Sequence, residues 1–299
     1  MSLSADQFVD RINLKRKVVR WRSSALLLIL LLVLLIPSLQ ISKISDLLLM
    51  QKESKVARIY LSGIIDEDHA RDAIINDLKD NDQVKALIIH INSPGGTLVG
   101  GETLYNSLRS LSDVKPVVSV MGNVAASGGY MAAIAADHII AHAGTITGSI
   151  GVLLETMDLT ELSSKIGVDM KSLKSGKFKD ALSPFSKLNN ESRSYLQDVI
   201  DNSYDYFVAL VAERRGFNVE EARSKAEGKI YTGRQALENS LVDEIGGEKE
   251  ALAWLKESHN IDAKLLDFQI NKKSSFSFLN LFDSVEQKSS SVMAIWNGI

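Results

Sequence analysis

The chain has 299 residues, a length that suits one large domain or two small ones. Its composition of 45% hydrophobic and 24% charged residues predicts a largely globular protein. The formal net charge of -3 argues against nucleic acid as the main partner, because phosphate binders carry a basic excess. The absence of cysteine excludes disulfides, thiolate metal sites and a cysteine nucleophile.

The N-terminus has the composition of a membrane anchor. A basic cluster within residues 1–22 precedes an uninterrupted apolar run, Ala25–Ile36. A helix over residues 23–41 would be about 28 Å long, close to the thickness of the hydrocarbon core. The residues after the run offer no small-x-small cleavage site, which favours an anchor over a cleaved signal peptide. The positive-inside rule then keeps residues 1–22 in the cytoplasm and places the rest across the membrane.

Residues 42–55 read as a polar linker, 56–268 as the folded domain and 269–299 as a flexible C-terminal tail. Early in the domain, apolar runs of strand length alternate with helical patterns. This alternation predicts an α/β fold around a mostly parallel sheet. The predicted strands are Val56–Leu61, Val84–Ile91, Pro116–Met121 and His138–Ala141. The predicted helices between and after them are Asp68–Lys79, Thr97–Leu111 and Ser127–Ala136.

After Ile150 the pattern becomes mainly helical. The predicted helices are Leu159–Ile166, Asn190–Arg215, Val219–Ala226, Gly233–Glu238 and Glu248–Glu257. One further strand is predicted at Asp169–Leu173, and residues 175–185 read as a polar loop.

Glycine-rich turns follow the apolar strands. In the turn at residues 92–96 (NSPGG), adjacent glycines leave backbone N–H groups open to a cleft, as in an oxyanion hole. In residues 122–130 (GNVAASGGY), Ser127 has small neighbours that keep its hydroxyl accessible to an acyl group. Taken alone, the first reads as a tight turn, and the second equally as a serine helix cap. A third turn, residues 145–151, offers a hydroxyl that could orient a base.

A serine nucleophile needs a proton acceptor. The histidines lie in apolar strands or on polar helical surfaces, with no spacing typical of a triad. Lysines in the loop at residues 174–180 are the better candidates, since burial against apolar groups favours the neutral amine. By itself this loop reads as a solvated run of charges, so its chemical role depends on the combination.

Together these residues resemble the signal peptide peptidase A family of serine peptidases. The matching segments, which run in the family's order, are Ile89–Thr97, Met121–Tyr130, Ala143–Val152, Lys174–Asp180 and Ile230–Gly247. The basic patch and single hydrophobic segment also look like the family's short, single-domain form. The resemblance implies the crotonase/ClpP-like fold, with repeated β-β-α units and helical oligomerisation segments.

The resemblance assigns the catalytic pair residue by residue. Ser127 is the expected nucleophile and Lys179 the expected general base, with Lys177 as the alternative lysine. Ser149 matches a serine that hydrogen-bonds the lysine amine.

The expected oxyanion donors are the N–H groups of Gly128 and of a glycine in the Pro-Gly-Gly turn, where Gly96 is chosen over Gly95. No metal and no cofactor are expected.

The same resemblance implies the partners and the location. The substrates would be peptides, such as cleaved signal peptides and other apolar peptides. The subunits would form a homo-oligomeric ring or dome, an octamer by resemblance. The chain would be a single-pass protein of the bacterial inner membrane, with its catalytic domain on the extracytoplasmic side. The alternatives are an acyl-CoA enzyme of the crotonase fold and a catalytically inactive membrane scaffold.

Overall fold

A computed structural model describes residues 17–18, 20–31, 54–268 and 293–295. The chain separates into two compact units, Met1–Glu53 and Ser54–Ile299. In the first unit the described residues are helical. Within the described part of the chain, no helix is both long enough and apolar enough to cross a membrane. The predicted anchor at residues 23–41 continues past residue 31, outside the described residues, as do most of the predicted linker and tail.

A mixed sheet of eight strands forms the centre of the second unit. The strands of this unit are β1 (Lys55–Ser62), β2 (Val84–Ser93), β3 (Gly95–Thr97), β4 (Val117–Ala126), β5 (His138–Ala141), β6 (Ile146–Gly148), β7 (Ile230–Thr232), β8 (Glu244–Ile245), β9 (Lys264–Phe268) and β10 (Met293–Ile295). The sheet order is β7-β6-β4-β2-β1-β9, with β5 paired to β4 and β8 to β5. Only the pairing of β7 with β6 is antiparallel among the described strands of this sheet. A separate two-stranded sheet joins β3 to β10.

Helices cover both faces of the sheet. They are α1 (His69–Asp77), α2 (Leu98–Ser112), α3 (Gly128–Ala133), α4 (Thr160–Lys165), α5 (Asn190–Arg215), α6 (Val219–Lys225), α7 (Gly233–Glu238) and α8 (Glu248–His259). The larger core packs α1, α2, α3 and α5 on one face. On the other face, Ala251 and Leu255 of α8 pack against buried side chains of β1, β2, β4 and β5.

This two-sided burial explains why β2 is almost continuously apolar. Ile88 contributes to the core beneath α8, while Leu87 and Ile89 contribute to the larger core on the opposite face. A parallel strand that is buried on both faces has no polar side, so its sequence does not alternate. The predicted βα alternation is therefore confirmed.

The strand predicted at Asp169–Leu173 is wrong. Residues 167–174 have no regular secondary structure, and the side chain of Leu173 is fully exposed. A short segment forms a strand only when a neighbouring strand supplies hydrogen bonds and a core covers one face, and the described residues supply neither to this segment.

Candidate active site

Ser127 stands at the junction between β4 and α3 in a strained backbone conformation. Its φ of 53° and ψ of -118° are unusual for a residue with a side chain. Such conformations cost about 1–3 kcal/mol each and cluster at active sites. The N–H of Ser127 donates to the carbonyl of Gly148 (2.8 Å), and its own carbonyl accepts from the N–H of Met131 (2.9 Å). The backbone on both sides of the serine is therefore fixed, and the core maintains the strain.

The hydroxyl of Ser127 is buried but has no partner. Only 1% of the residue is exposed, and Oγ makes no hydrogen bond with any described residue. A buried hydroxyl without a hydrogen bond costs about 1–3 kcal/mol, so such a group calls for a functional explanation. The Ser127 oxygen is therefore free to form a hydrogen bond with a group that the described residues do not supply.

Tyr130 anchors α3, the helix that follows Ser127, in the core. Its side chain is fully buried, and the phenol donates to the carbonyl of Leu241 at 2.9 Å. Burial raises the pKa of Tyr130, so the phenol remains a neutral donor across the physiological range. Because Tyr130 lies one turn after the serine, this contact sets where the start of α3 lies.

Gly96 lies close to Gly128, the residue that follows Ser127. A Cβ placed on Gly128 would lie 3.2 Å from the backbone nitrogen of Gly96. A Cβ on Gly129 would lie 2.8 Å from the carbonyl oxygen of Ser93. The two glycine-rich turns therefore pack backbone against backbone, which only residues without side chains permit. The first N–H groups of a helix have no partner within it, so the N–H of Gly128 suits an oxyanion.

The turn at Ile65 fixes one edge of β3. The N–H of Ile65 donates to the carbonyl of Gly95 (2.9 Å), and the N–H of Thr97 donates to the carbonyl of Ile65 (3.0 Å). Successive residues of a strand direct their backbone groups to opposite edges. The N–H and carbonyl of Gly96 therefore face the other edge, away from Ile65.

Sequence reasoning missed the contacts that brace this turn. Arg71 is buried, and its guanidinium donates to the carbonyl of Asp66 (3.0 Å) and to the carboxylate of Asp72 (2.9 Å). The hydroxyl of Thr97 donates to the carboxylate of Asp66 (3.1 Å). The helix-start signal at Asp68, which caps α1, was available from the sequence. The hydrogen bond from Thr97 to Asp66 was not, because it joins residues distant in sequence.

Thr97→Val tests how much the hydrogen bonds of the Thr97 hydroxyl contribute to stability. The Thr97 hydroxyl also accepts from the N–H of Gly100 (3.1 Å) and so caps α2. Removing such a cap costs about 1 kcal/mol, and losing the bond to Asp66 adds to this. We expect a lower free energy of unfolding in denaturant titrations. Thr97→Ser, which keeps the hydroxyl, should remain close to the wild type, and equal losses in both variants would contradict this reading.

Ser149 directly follows β6, the strand that pairs with the end of β4 just before Ser127. Gly148, at the end of β6, pairs with Ala126 at the end of β4, so Ser149 and Ser127 follow paired positions. Ser149 is buried, has a φ of 49° and donates its N–H to the carbonyl of Lys229 (2.7 Å). Its predicted role in orienting the lysine stays a prediction.

The lysine loop lies apart from Ser127 in the single chain. Lys179 is exposed, and because the described residues offer Ser127 Oγ no partner, its amine is not bonded to that hydroxyl. The loop is attached to α5 by the stacking of Phe178 on Tyr195, with ring centroids 4.7 Å apart.

The lysines of this loop differ in their partners. Lys177 pairs with Glu191, and Lys174 pairs with Asp180 at 2.5 Å. The hydrogen bond from the Lys174 amine lowers the pKa of the Asp180 carboxyl below its usual range. No ion pair among the described residues involves Lys179.

Comparison with known proteins identifies the family. Residues 109–262 match the pattern of peptidase family S49, and residues 43–146 match that of Clp protease. Putative protease slr0021 of Synechocystis sp. is 45% identical over 202 residues, covering 67% of this chain and 73% of that protein. Putative protease MJ0651 of Methanocaldococcus jannaschii is 36% identical over 222 residues, covering 69% and 71%. Putative signal peptide peptidase SppA of Enterococcus faecium is 34% identical over 194 residues, covering 64% and 56%.

The match to Clp protease agrees with the ClpP-like α/β fold that the sequence predicts. These three relatives are named as proteases or as a peptidase, which favours a peptidase over an acyl-CoA enzyme of related fold. The chain therefore belongs to peptidase family S49, the signal peptide peptidase A family of serine peptidases.

Proposed function

We propose that the chain is an endopeptidase in which Ser127 attacks the peptide carbonyl and Lys179 is the general base. The observation that carries this proposal is the buried, unpartnered Ser127 hydroxyl, held at a strained turn beside two glycine-rich turns. Burial without a partner has no structural benefit, whereas a nucleophile must be free to bond a base and then an acyl group.

The proposed reaction is acyl transfer in two steps. The neutral amine of Lys179 takes the Ser127 proton, and the oxygen attacks the peptide carbonyl. The N–H groups of Gly96 and Gly128 stabilise the oxyanion, and the amine delivers the proton to the leaving nitrogen as the C–N bond breaks. Water, deprotonated by the same lysine, then hydrolyses the acyl-enzyme. Side chains and backbone groups of the protein suffice for each step.

The base is proposed to come from a neighbouring subunit. In the single chain the Ser127 hydroxyl lacks a partner and Lys179 extends into solvent, so a second copy can supply what each site lacks. The segment before the lysine loop exposes apolar side chains that a subunit contact would cover. These are Met157, Leu162, Ile166, Val168, Met170 and Leu173. Several exposed apolar side chains within one short segment are consistent with a surface that another subunit covers.

The N-terminal sequence supports a proposal for the substrates and for the location of the catalytic domain. The basic cluster and the apolar run Ala25–Ile36 support a membrane anchor with a cytoplasmic N-terminus. A peptidase tethered there meets apolar peptides close to the bilayer, including the remnants of signal peptides. We therefore place the catalytic domain on the extracytoplasmic side of the cell membrane.

Cleavage of apolar peptides by the purified full-length chain tests the proposal. We expect mass spectrometry to show cleavage products with the wild type and none with Ser127→Ala, because the alanine has no oxygen to form the acyl-enzyme. Ser224→Ala removes an exposed hydroxyl on α6 and should leave the products unchanged. Cleavage by folded Ser127→Ala at the wild-type rate would overturn the assignment of the nucleophile.

A further inference from the structure

The carboxylate of Asp180 is the centre of a hydrogen-bond network around the lysine loop, residues 174–180. Its side chain is only 17% exposed. One carboxylate oxygen accepts from the Lys174 amine at 2.5 Å. The other accepts from the hydroxyls of Ser172 (3.1 Å) and Ser186 (3.3 Å). Asp180 therefore joins a residue that comes before the loop to a residue that comes after it.

The loop depends on such side-chain bonds for its shape. The chain has no helix or strand between α4, which ends at Lys165, and α5, which begins at Asn190. Backbone bonds within the loop are those of single turns, such as the bond from the N–H of Lys179 to the carbonyl of Gly176 (3.1 Å). Ordering an irregular segment costs conformational entropy, which its own contacts must offset. Loss of the central contact therefore lets the loop adopt other shapes.

The residues on either side of Lys179 hold the loop and leave its amine free. The ring of Phe178 stacks on Tyr195 of α5, with the ring centroids 4.7 Å apart. Asp180 holds the loop from within, and its side chain is largely covered. The Lys179 side chain is exposed, and its amine forms none of the bonds to the Asp180 carboxylate. The position of the Lys179 amine is thus set by neighbours that carry no chemistry themselves.

We propose that Asp180 is a positioning residue for the general base, because its carboxylate fixes the loop that presents Lys179 to the nucleophile of a neighbouring subunit. The proposal rests on the proposed function for the role of Lys179. Hydrogen bonds to a charged group are shorter and stronger than those between neutral groups. Hydrogen bonds from Lys174 and Ser172 hold the pKa of Asp180 below its usual range, so the carboxyl stays ionised at neutral pH. A misplacement of about 1 Å at a catalytic group costs about 10²-fold in rate.

Asp180→Ala in the full-length chain tests the proposal. We expect kcat for an apolar peptide to fall about 10²-fold while KM changes by less than about threefold, because the base is displaced and the peptide contacts are kept. Asp180→Asn keeps the shape of the side chain and one oxygen acceptor, so its kcat should lie between those of the wild type and Asp180→Ala. Wild-type kcat in either folded variant would overturn the proposal.

Asp262→Ala is the matched control for these kinetics. Asp262 accepts a hydrogen bond from Lys256 at 2.7 Å, and this lysine comes six residues earlier, as Lys174 does relative to Asp180. The control removes the same kind of ion pair from an exposed surface after α8, so kcat and KM should stay at the wild-type values.

Mixed assemblies distinguish a misplaced base from a general loss of structure. Asp180→Ala subunits keep Ser127, so they should recover activity when assembled with Ser127→Ala subunits, which supply an intact lysine loop. Assembled with Lys179→Ala subunits, they should show no more activity than Asp180→Ala alone. Recovery in this second mixture would place the defect outside the base and overturn the proposal. So would failure of the first mixture where Lys179→Ala with Ser127→Ala recovers.

The result for Lys179→Ala separates this proposal from the proposed function. Inactive Lys179→Ala together with wild-type kcat in Asp180→Ala would overturn the positioning role alone. Full activity of Lys179→Ala would contradict the proposed base, and the positioning role would fall with it. If base and nucleophile come from one chain, none of these mixtures recovers, and the split between kcat and KM in Asp180→Ala decides the positioning role.

Discussion

Subunits that carry Ser127→Ala, assembled with subunits that carry Lys179→Ala, should recover peptidase activity that neither variant has alone. Each proposed site combines a hydroxyl from one subunit with an amine from the next. A mixed assembly therefore contains some sites in which both native residues meet. Random mixing leaves about a quarter of the sites complete in a closed ring with one type of interface. Two different affinity tags, used in succession, would isolate mixed assemblies for a fluorogenic peptide assay.

The controls distinguish a shared site from other sources of activity. Ser127→Ala mixed with a chain that carries both substitutions should stay inactive, because no native serine is present. Lys177→Ala should retain activity, since Lys177 is paired with Glu191 in the structure. Inactive mixed assemblies of the two single variants would show that the dyad forms within one chain. Full activity of Lys179→Ala by itself would remove Lys179 from the mechanism.

The parts of the fold that the sequence predicts are those with a strong local signal. The helix Asn190–Arg215 has the predicted boundaries, because Asn189 caps its start and Gly216 ends it in a left-handed conformation. Strand β5 likewise has its predicted limits, His138–Ala141. In each case neighbouring residues carry the information, so periodicity and end signals suffice.

The elements that were missed depend on partners distant in sequence. Strand β3 exists because Ile65 bonds one edge of it, and β7 exists because it pairs with β6. The candidate site shows the same division. The glycine-rich turns in the sequence indicate Ser127 and the neighbouring glycines as site candidates. No local sequence pattern indicates the hydrogen bonds that Ile65 and Asp66 make around β3. The single chain does not bring the Lys179 amine to the Ser127 hydroxyl.

Gly96→Ala should reduce peptidase activity by at least about 10²–10³-fold, the usual cost of losing one oxyanion donor. A Cβ on Gly96 would lie 1.6 Å from the carbonyl oxygen of Ile65, far inside any real contact. The strand must therefore move away from Ile65, which displaces the Gly96 N–H from its place beside Gly128. We expect the loss in the acylation step, measured as a reduced rate of labelling of Ser127 by a serine-directed acylating probe.

Two further variants separate lost chemistry from lost folding. Gly144→Ala adds a Cβ that meets no atom within 4 Å, so it should keep its activity and its stability. Gly128→Ala places its Cβ 3.2 Å from the Gly96 nitrogen, a contact that a shift of a few tenths of an ångström relieves. It should therefore unfold at nearly the wild-type denaturant concentration while acylating Ser127 more slowly. If folded Gly96→Ala and Gly128→Ala both acylated at the wild-type rate, the oxyanion would have to be bound elsewhere.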